Sequence, residues 1–156
     1  VTVVKLFRNA YSKNIFFNGF LLICALVYTA IMLYLLFYRN RYFYTGYAYN
    51  LVPFDTIERY IVHRDHFNFD TWFKNLFGNV VLFIPIGMFL PLFNKRFRSG
   101  FRMVAACVTI ITCVELAQML LRVGSFDIDD ILLNTAGAWI GLMLARPFMT
   151  EGRLNK

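Results

Sequence analysis

Four long apolar runs, at residues 15–38, 72–93, 103–121 and 131–148, are separated by more polar stretches. Each reaches or approaches the roughly 20 residues (17–25) that a helix needs to cross a bilayer's hydrocarbon core. Hydrocarbon offers no partner to an unpaired backbone group, so each run should be helical. The pattern predicts an all-α integral membrane protein: a four-transmembrane-helix bundle, one domain over residues 1–156, with a long interfacial outer loop after the first span. The third run departs from the pattern. Glu115 and Gln118 fall inside it, and Arg122, Asp127, Asp129 and Asp130 follow at once. A carboxylate at a span centre costs about 2.5–3.5 kcal/mol on insertion scales, so a partner or a function is expected to offset it.

Composition agrees with the class: 59% of the residues are hydrophobic and 19% aromatic, above the roughly 45–50% apolar content of soluble domains. The first run follows Lys5, Arg8 and Lys13 like the charged start of a signal peptide, but its apolar core exceeds the roughly 7–15 residues of that class. A retained signal anchor is expected, and Val1 in place of Met indicates loss of at least one starting residue. Cys24, Cys107 and Cys113 all fall in predicted spans and form no disulfide framework.

The net charge of +7 is informative by location rather than as a nucleic-acid footprint. Lys5, Arg8 and Lys13, then Lys95, Arg96, Arg98 and Arg102, then Arg146, Arg153 and Lys156 share one side of a four-span chain. By the positive-inside rule that side is the cytoplasm, where anionic lipid is partner enough. Asp55, Glu58, Asp65, Asp70, Asp127, Asp129 and Asp130 fall in the two loops assigned outside; Glu151 alone joins the inner side. The expectation is a multi-pass protein of a plasma membrane with both termini cytoplasmic.

The first outer loop is too aromatic to be disordered. Tyr42, Phe43, Tyr44, Tyr47 and Tyr49 suit the membrane interface. Beyond them, Asn50-Leu51-Val52-Pro53-Phe54-Asp55 reads as a turn into a short helix, with Asp55 able to cap and Glu58 three residues on; Ile57, Tyr60 and Ile61 would face lipid or the bundle. Span two, capped by Asp70 or Thr71, holds Asn75, Asn79, Pro85, Gly87 and Pro91, and the prolines predict kinks. In span four, Gly137 and Gly141 make a small-xxx-small step, with Asn134 on the same face.

Helical spacing puts Glu115, Gln118 and Arg122 on one face of span three. At about 1.5 Å per residue, Glu115 lies roughly 9 Å, Asn79 roughly 10 Å and Asn134 roughly 5 Å below the outer ends of their spans. Asp127, Asp129 and Asp130 stand at the rim above. Capping of span four and helix-to-helix pairing account for each residue separately; their convergence at one end predicts a pocket. His63 and His66, in a loop with Asp65, make a weak metal pattern best read as solvated, and no phosphate loop, serine elbow or paired-cysteine motif is present.

With these residues in place, the chain resembles the VanZ family of bacterial membrane proteins. The likeness rests on Asn50-Leu51-Val52-Pro53-Phe54, on Asn79 with Phe83, Pro85 and Gly87, on Glu115 with Gln118, and on Asp127-Ile128-Asp129-Asp130 followed by Asn134, Gly137 and Gly141. The resemblance implies a cell-envelope protein, some relatives of which confer low-level resistance to glycopeptide antibiotics, notably lipid-tailed teicoplanin. Asp127 and Asp130 match its pattern, Asp129 sits at a variable position, and Arg122 is less well supported.

Three functions compete. The leading one is a non-enzymatic, outward-facing pocket for an amphiphile such as a lipid-linked peptidoglycan precursor or a lipophilic glycopeptide. Its ligand-binding residues would be Asn50, Asn79, Glu115, Gln118, Arg122, Asp127, Asp130 and Asn134, with Arg122 meeting a phosphate or carboxylate. The second is an outer-leaflet hydrolase or transferase in which Glu115, Asp127 and Asp130 are catalytic. There Glu115 would be a general acid or base, with Asp127 and Asp130 holding a hard divalent cation; no cofactor is expected otherwise. The third is a proton or ion path through Glu115, weakened by the lack of strong polar residues in the inner halves of the spans. The ligand and the oligomeric state are left open.

Overall fold

The computed structural model describes residues 12–38 and 44–150. Lys5, Arg8, Tyr42, Phe43, Glu151, Arg153 and Lys156 therefore lie outside the described residues. Four helices are long and apolar enough to cross a membrane: α1 (Ile15–Phe37), α3 (Phe69–Phe93), α4 (Gly100–Leu120) and α5 (Ile128–Thr150). A short α2 (Asp55–Val62) fills part of the outer loop. Two strands of two residues, β1 (Tyr49–Asn50) and β2 (Phe126–Asp127), pair in parallel with Tyr49 opposite Phe126. The fold is all-α with four spans, as the hydrophobic pattern predicts.

The apolar runs miss the first turn of three helices, because Asp70 and Thr71, Arg102, and Asp129 and Asp130 there interrupt the hydrophobic pattern although the backbone is already helical. The Asn68 side chain accepts from the Thr71 N–H at 2.7 Å and starts α3, so neither Asp70 nor Thr71 caps it. Asp127 precedes α5 and accepts from the Asp129 N–H at 2.9 Å, the ordinary use of a carboxylate at a helix start. Pro85 and Pro91 sit inside α3, but the irregular turn is elsewhere: Lys74–Gly78 is wound as a π-helix. Such turns add a residue to a helix and recur at functional sites.

The core lies where the four spans meet and is built from Met32, Leu36, Phe83, Met103, Cys107, Ile111, Ala138 and Leu142. The closest packing joins α3 to α5. A Cβ at Gly137 would stand 2.0 Å from the Val80 carbonyl oxygen, and one at Gly141 would stand 2.0 Å from that of Ile84. Only residues without a side chain allow two helix backbones so near. By contrast α1 is loosely held. The Tyr28 hydroxyl donates to the Leu82 carbonyl of α3, the Gln118 amide of α4 donates to the Leu36 carbonyl at 2.8 Å, and most of the remaining surface is apolar and exposed. That surface suits lipid.

Candidate functional site

Two local choices of backbone build the outer end of the bundle. Helix α4 stops because Arg122 turns left-handed, with φ 57°. The Arg122 N–H then donates to the Met119 carbonyl and the Val123 N–H to that of Gln118, each at 3.0 Å. This double bond pattern closes helices, usually with glycine at the reversed position. Arg122 therefore leaves the face shared by Glu115 and Gln118, and its guanidinium lies over the Tyr47 ring, 5.2 Å from the centroid. The anion-binding role expected for Arg122 in a pocket loses its geometric basis, since the spacing argument assumed a helix that continues past Leu120.

The second choice is at Phe54, also left-handed with φ 68°. It starts α2, and no side chain of its own segment caps that start. Asp55, expected to cap, instead pairs with Arg59 one turn on. The cap comes from α5: Asp129, with no exposed surface, accepts from the Phe54 N–H at 2.6 Å and the Ile57 N–H at 3.0 Å. Docked in this way, α2 points Thr56 at Asp127, whose Oδ2 accepts its hydroxyl at 2.6 Å.

Between α1, α2, α3, α4 and the start of α5 lies a cavity of about 820 Å³, within the range of small-ligand sites. Of the residues singled out from sequence, Asn79, Glu115, Gln118, Asp127 and Asp130 line it together. Glu115, Gln118 and Asp127 are all more than nine-tenths buried. Glu115 Oε2 accepts the Asp127 N–H at 3.3 Å, and the Asn79 amide donates to Asp130 and to the Asn75 carbonyl. Asn50 stays outside the lining and braces the turn below it, donating to Thr56 at 2.9 Å and to Asp55 at 3.2 Å. Asn134 is buried within the bundle rather than at the cavity, and its Oδ1 has no hydrogen-bond partner in the structure.

The lining also takes in Tyr60, expected only to face lipid or the bundle, and Thr56 and Lys74, which the sequence reading did not place at a pocket. Tyr60 enters from α2, and burial pushes its hydroxyl above the ordinary 10.0. The Asp130 carboxylate adds to the rise, Arg59 and a hydrogen bond with Asn75 oppose it, and Asp127 adds a little more. At neutral pH it is a phenol able to donate. Thr56 stands four residues before it on the same helix face, a pairing that spacing could have exposed. Lys74 stands at the mouth, ion-paired with Asp70. The Asp127 oxygens are both already engaged, one by Asp129 and one by Thr56. Among the described residues, no three of His, Cys, Asp or Glu gather as a metal would require. His63 and His66 lie exposed, their rings edge-on at 5.7 Å.

The cavity thus offers carboxylate acceptors, a phenol and amides at one end of a membrane bundle. The family model described as VanZ/LLP1 matches residues 12–150. Over 89 residues the chain is 32% identical to Protein VanZ of Enterococcus faecium, an alignment covering 54% of this chain and 53% of that relative. The chain spans about half the length of the curated relative it matches. No solved structure matches it.

Proposed function

The chain belongs to the VanZ/LLP1 family, and from that premise we propose that it is an envelope protein of the bacterial plasma membrane that contributes to glycopeptide resistance by binding an amphiphile. The ligand class is a lipid-linked wall precursor or a lipid-tailed glycopeptide such as teicoplanin. One observation carries the reading: five polar residues from three separate helices and their junctions, Asn79, Glu115, Gln118, Asp127 and Asp130, converge on the lining of one cavity, where Asn79 holds Asp130 and Glu115 holds the Asp127 N–H. Burying groups of this kind is costly unless they are hydrogen-bonded; held together in this way they keep a polar lining inside the bundle, the chemistry that a hydroxyl- or amide-bearing head group meets. Basic residues support an outward mouth. Lys13, Lys95, Arg96, Arg98, Arg102 and Arg146 all lie toward the opposite helix ends, which the positive-inside rule assigns to the cytoplasm.

The test is antibiotic susceptibility of cells carrying the wild type, Glu115→Ala, Asp130→Ala or the double variant, with membrane abundance measured in parallel. Each single variant is expected to lose most of the protection against teicoplanin at unchanged abundance. A well-expressed double variant that protects fully would overturn the reading.

A further inference from the structure

The walls of the cavity differ from its floor. On the α1 side they are Leu35 and Leu36, and at the deep end Leu82; along α3 they are Thr71, Lys74, Asn75, Gly78 and Asn79. Thr71 to Leu82 covers roughly 16 Å at helical rise, so the cavity reaches from the interface well into hydrocarbon depth. Two ties that join α1 to α3 lie at its deep end and below it. Tyr28 bonds the Leu82 carbonyl and its ring meets that of Phe89, 6.0 Å between centroids. Above that level α1 turns to α4 through Leu36 and Gln118, leaving the outer half of α3 across the cavity from α1. Lys74, on the α3 wall of the cavity, is exposed, as are Tyr34 of α1 and Val81 of α3, residues next in sequence to the lining Leu35 and Leu82.

We propose that the cavity is entered sideways from the bilayer, through the cleft between α1 and the outer half of α3. It then takes a membrane-resident amphiphile whose hydrocarbon chain lies against Leu35, Leu36 and Leu82 while its head meets Asn79 and Glu115. This deepens the amphiphile-binding reading above and rests on it. A ligand arriving from water would have to leave its chain behind or drag it past Thr71 and Asp127; one arriving from the leaflet keeps its chain in an apolar setting throughout. Gly78 is the narrowest side chain on that wall. A Cβ there meets nothing nearer than the Lys74 Cβ at 3.8 Å, so the backbone has room to start a side chain at that point of the cavity wall.

The experiment uses the full chain in nanodiscs of phosphatidylglycerol and phosphatidylethanolamine. The probe is lysophosphatidylglycerol with a diazirine in its acyl chain; photolabelled positions are read by mass spectrometry. In the wild type, label is expected to concentrate on Leu35, Leu36 and Leu82 over Phe20 and Ile23 of the same lipid-facing surface. Gly78→Trp is expected to lower cleft labelling about tenfold, the loss that goes with displacing a buried apolar chain. Gly19→Trp, at a glycine with open space around it, is expected to leave it unchanged. Uniform labelling of the wild-type lipid face, or full cleft labelling in Gly78→Trp, overturns the lateral route. If instead the cleft labels selectively and Gly78→Trp blocks it while Glu115→Ala and Asp130→Ala keep full resistance, the route stands and the head-group reading falls.

Discussion

Asp129 shows how one side chain can set the geometry of residues remote from it along the chain. It is fully buried, and its two carboxylate oxygens serve the Phe54 and Ile57 N–H groups. Those bonds hold Phe54 in a left-handed turn that a bulky residue adopts at a cost of about 1–2 kcal/mol. Replacing Asp129 with Ala takes the acceptor from two part-buried donors, a loss of about 1–3 kcal/mol. Thermal unfolding of Asp129→Ala should show that loss, with exchange of the α2 amides rising more than that of α4. No spacing rule in the sequence separates Asp129 from Asp127 and Asp130. The three are adjacent carboxylates at a helix start, and only the docking of α2, 72 and 75 residues away along the chain, gives each a different task. Arg122 was misplaced for the related reason that its φ of 57° is a position where glycine is the usual signal.

At the scale of elements, the spans were legible because burial in hydrocarbon demands long apolar runs, and their ends were blurred because polar residues interrupt that pattern in first turns that are already helical. The α3–α5 contact was legible as well: Gly137 and Gly141 announced a close approach, and the structure seats them on the Val80 and Ile84 carbonyls. Gly141→Val should therefore force the two helices apart, at a cost of about 1–3 kcal/mol or more for overpacking. Gly19→Ala, with nothing within 4 Å of a Cβ, should be neutral or slightly stabilising. Chemical unfolding in detergent, with the paired variants measured side by side, checks the contrast. The π-turn at Lys74–Gly78 was not legible, since the prolines that drew attention in that helix lie further along it. That turn carries three residues of the cavity wall, Lys74, Asn75 and Gly78.

For the whole molecule, the arrangement makes sidedness a measurable quantity. With the native cysteines replaced, a thiol at His66 should react with an impermeant maleimide in intact cells, and one at Ser99 only after lysis; the reverse would place the cavity mouth in the cytoplasm. The candidate site was half visible beforehand. Five of its polar residues were named from depth, spacing and their place at the rim; helical spacing pairs Thr56 with Tyr60, but that they reach the cavity depends on how the outer loop folds back, which no periodicity encodes. The loose attachment of α1 has a different kind of consequence. Its two polar ties use main-chain carbonyls as acceptors, that of Leu82 on α3 and that of Leu36 on α1 itself, so Tyr28 is the side chain of α1 on which those ties depend. Helix α1 is close to an interchangeable part: a foreign apolar helix with a tyrosine at that height and side chains that match Met32 and Leu36 in the core should seat in its place, and drift along its exposed side would leave the fold intact.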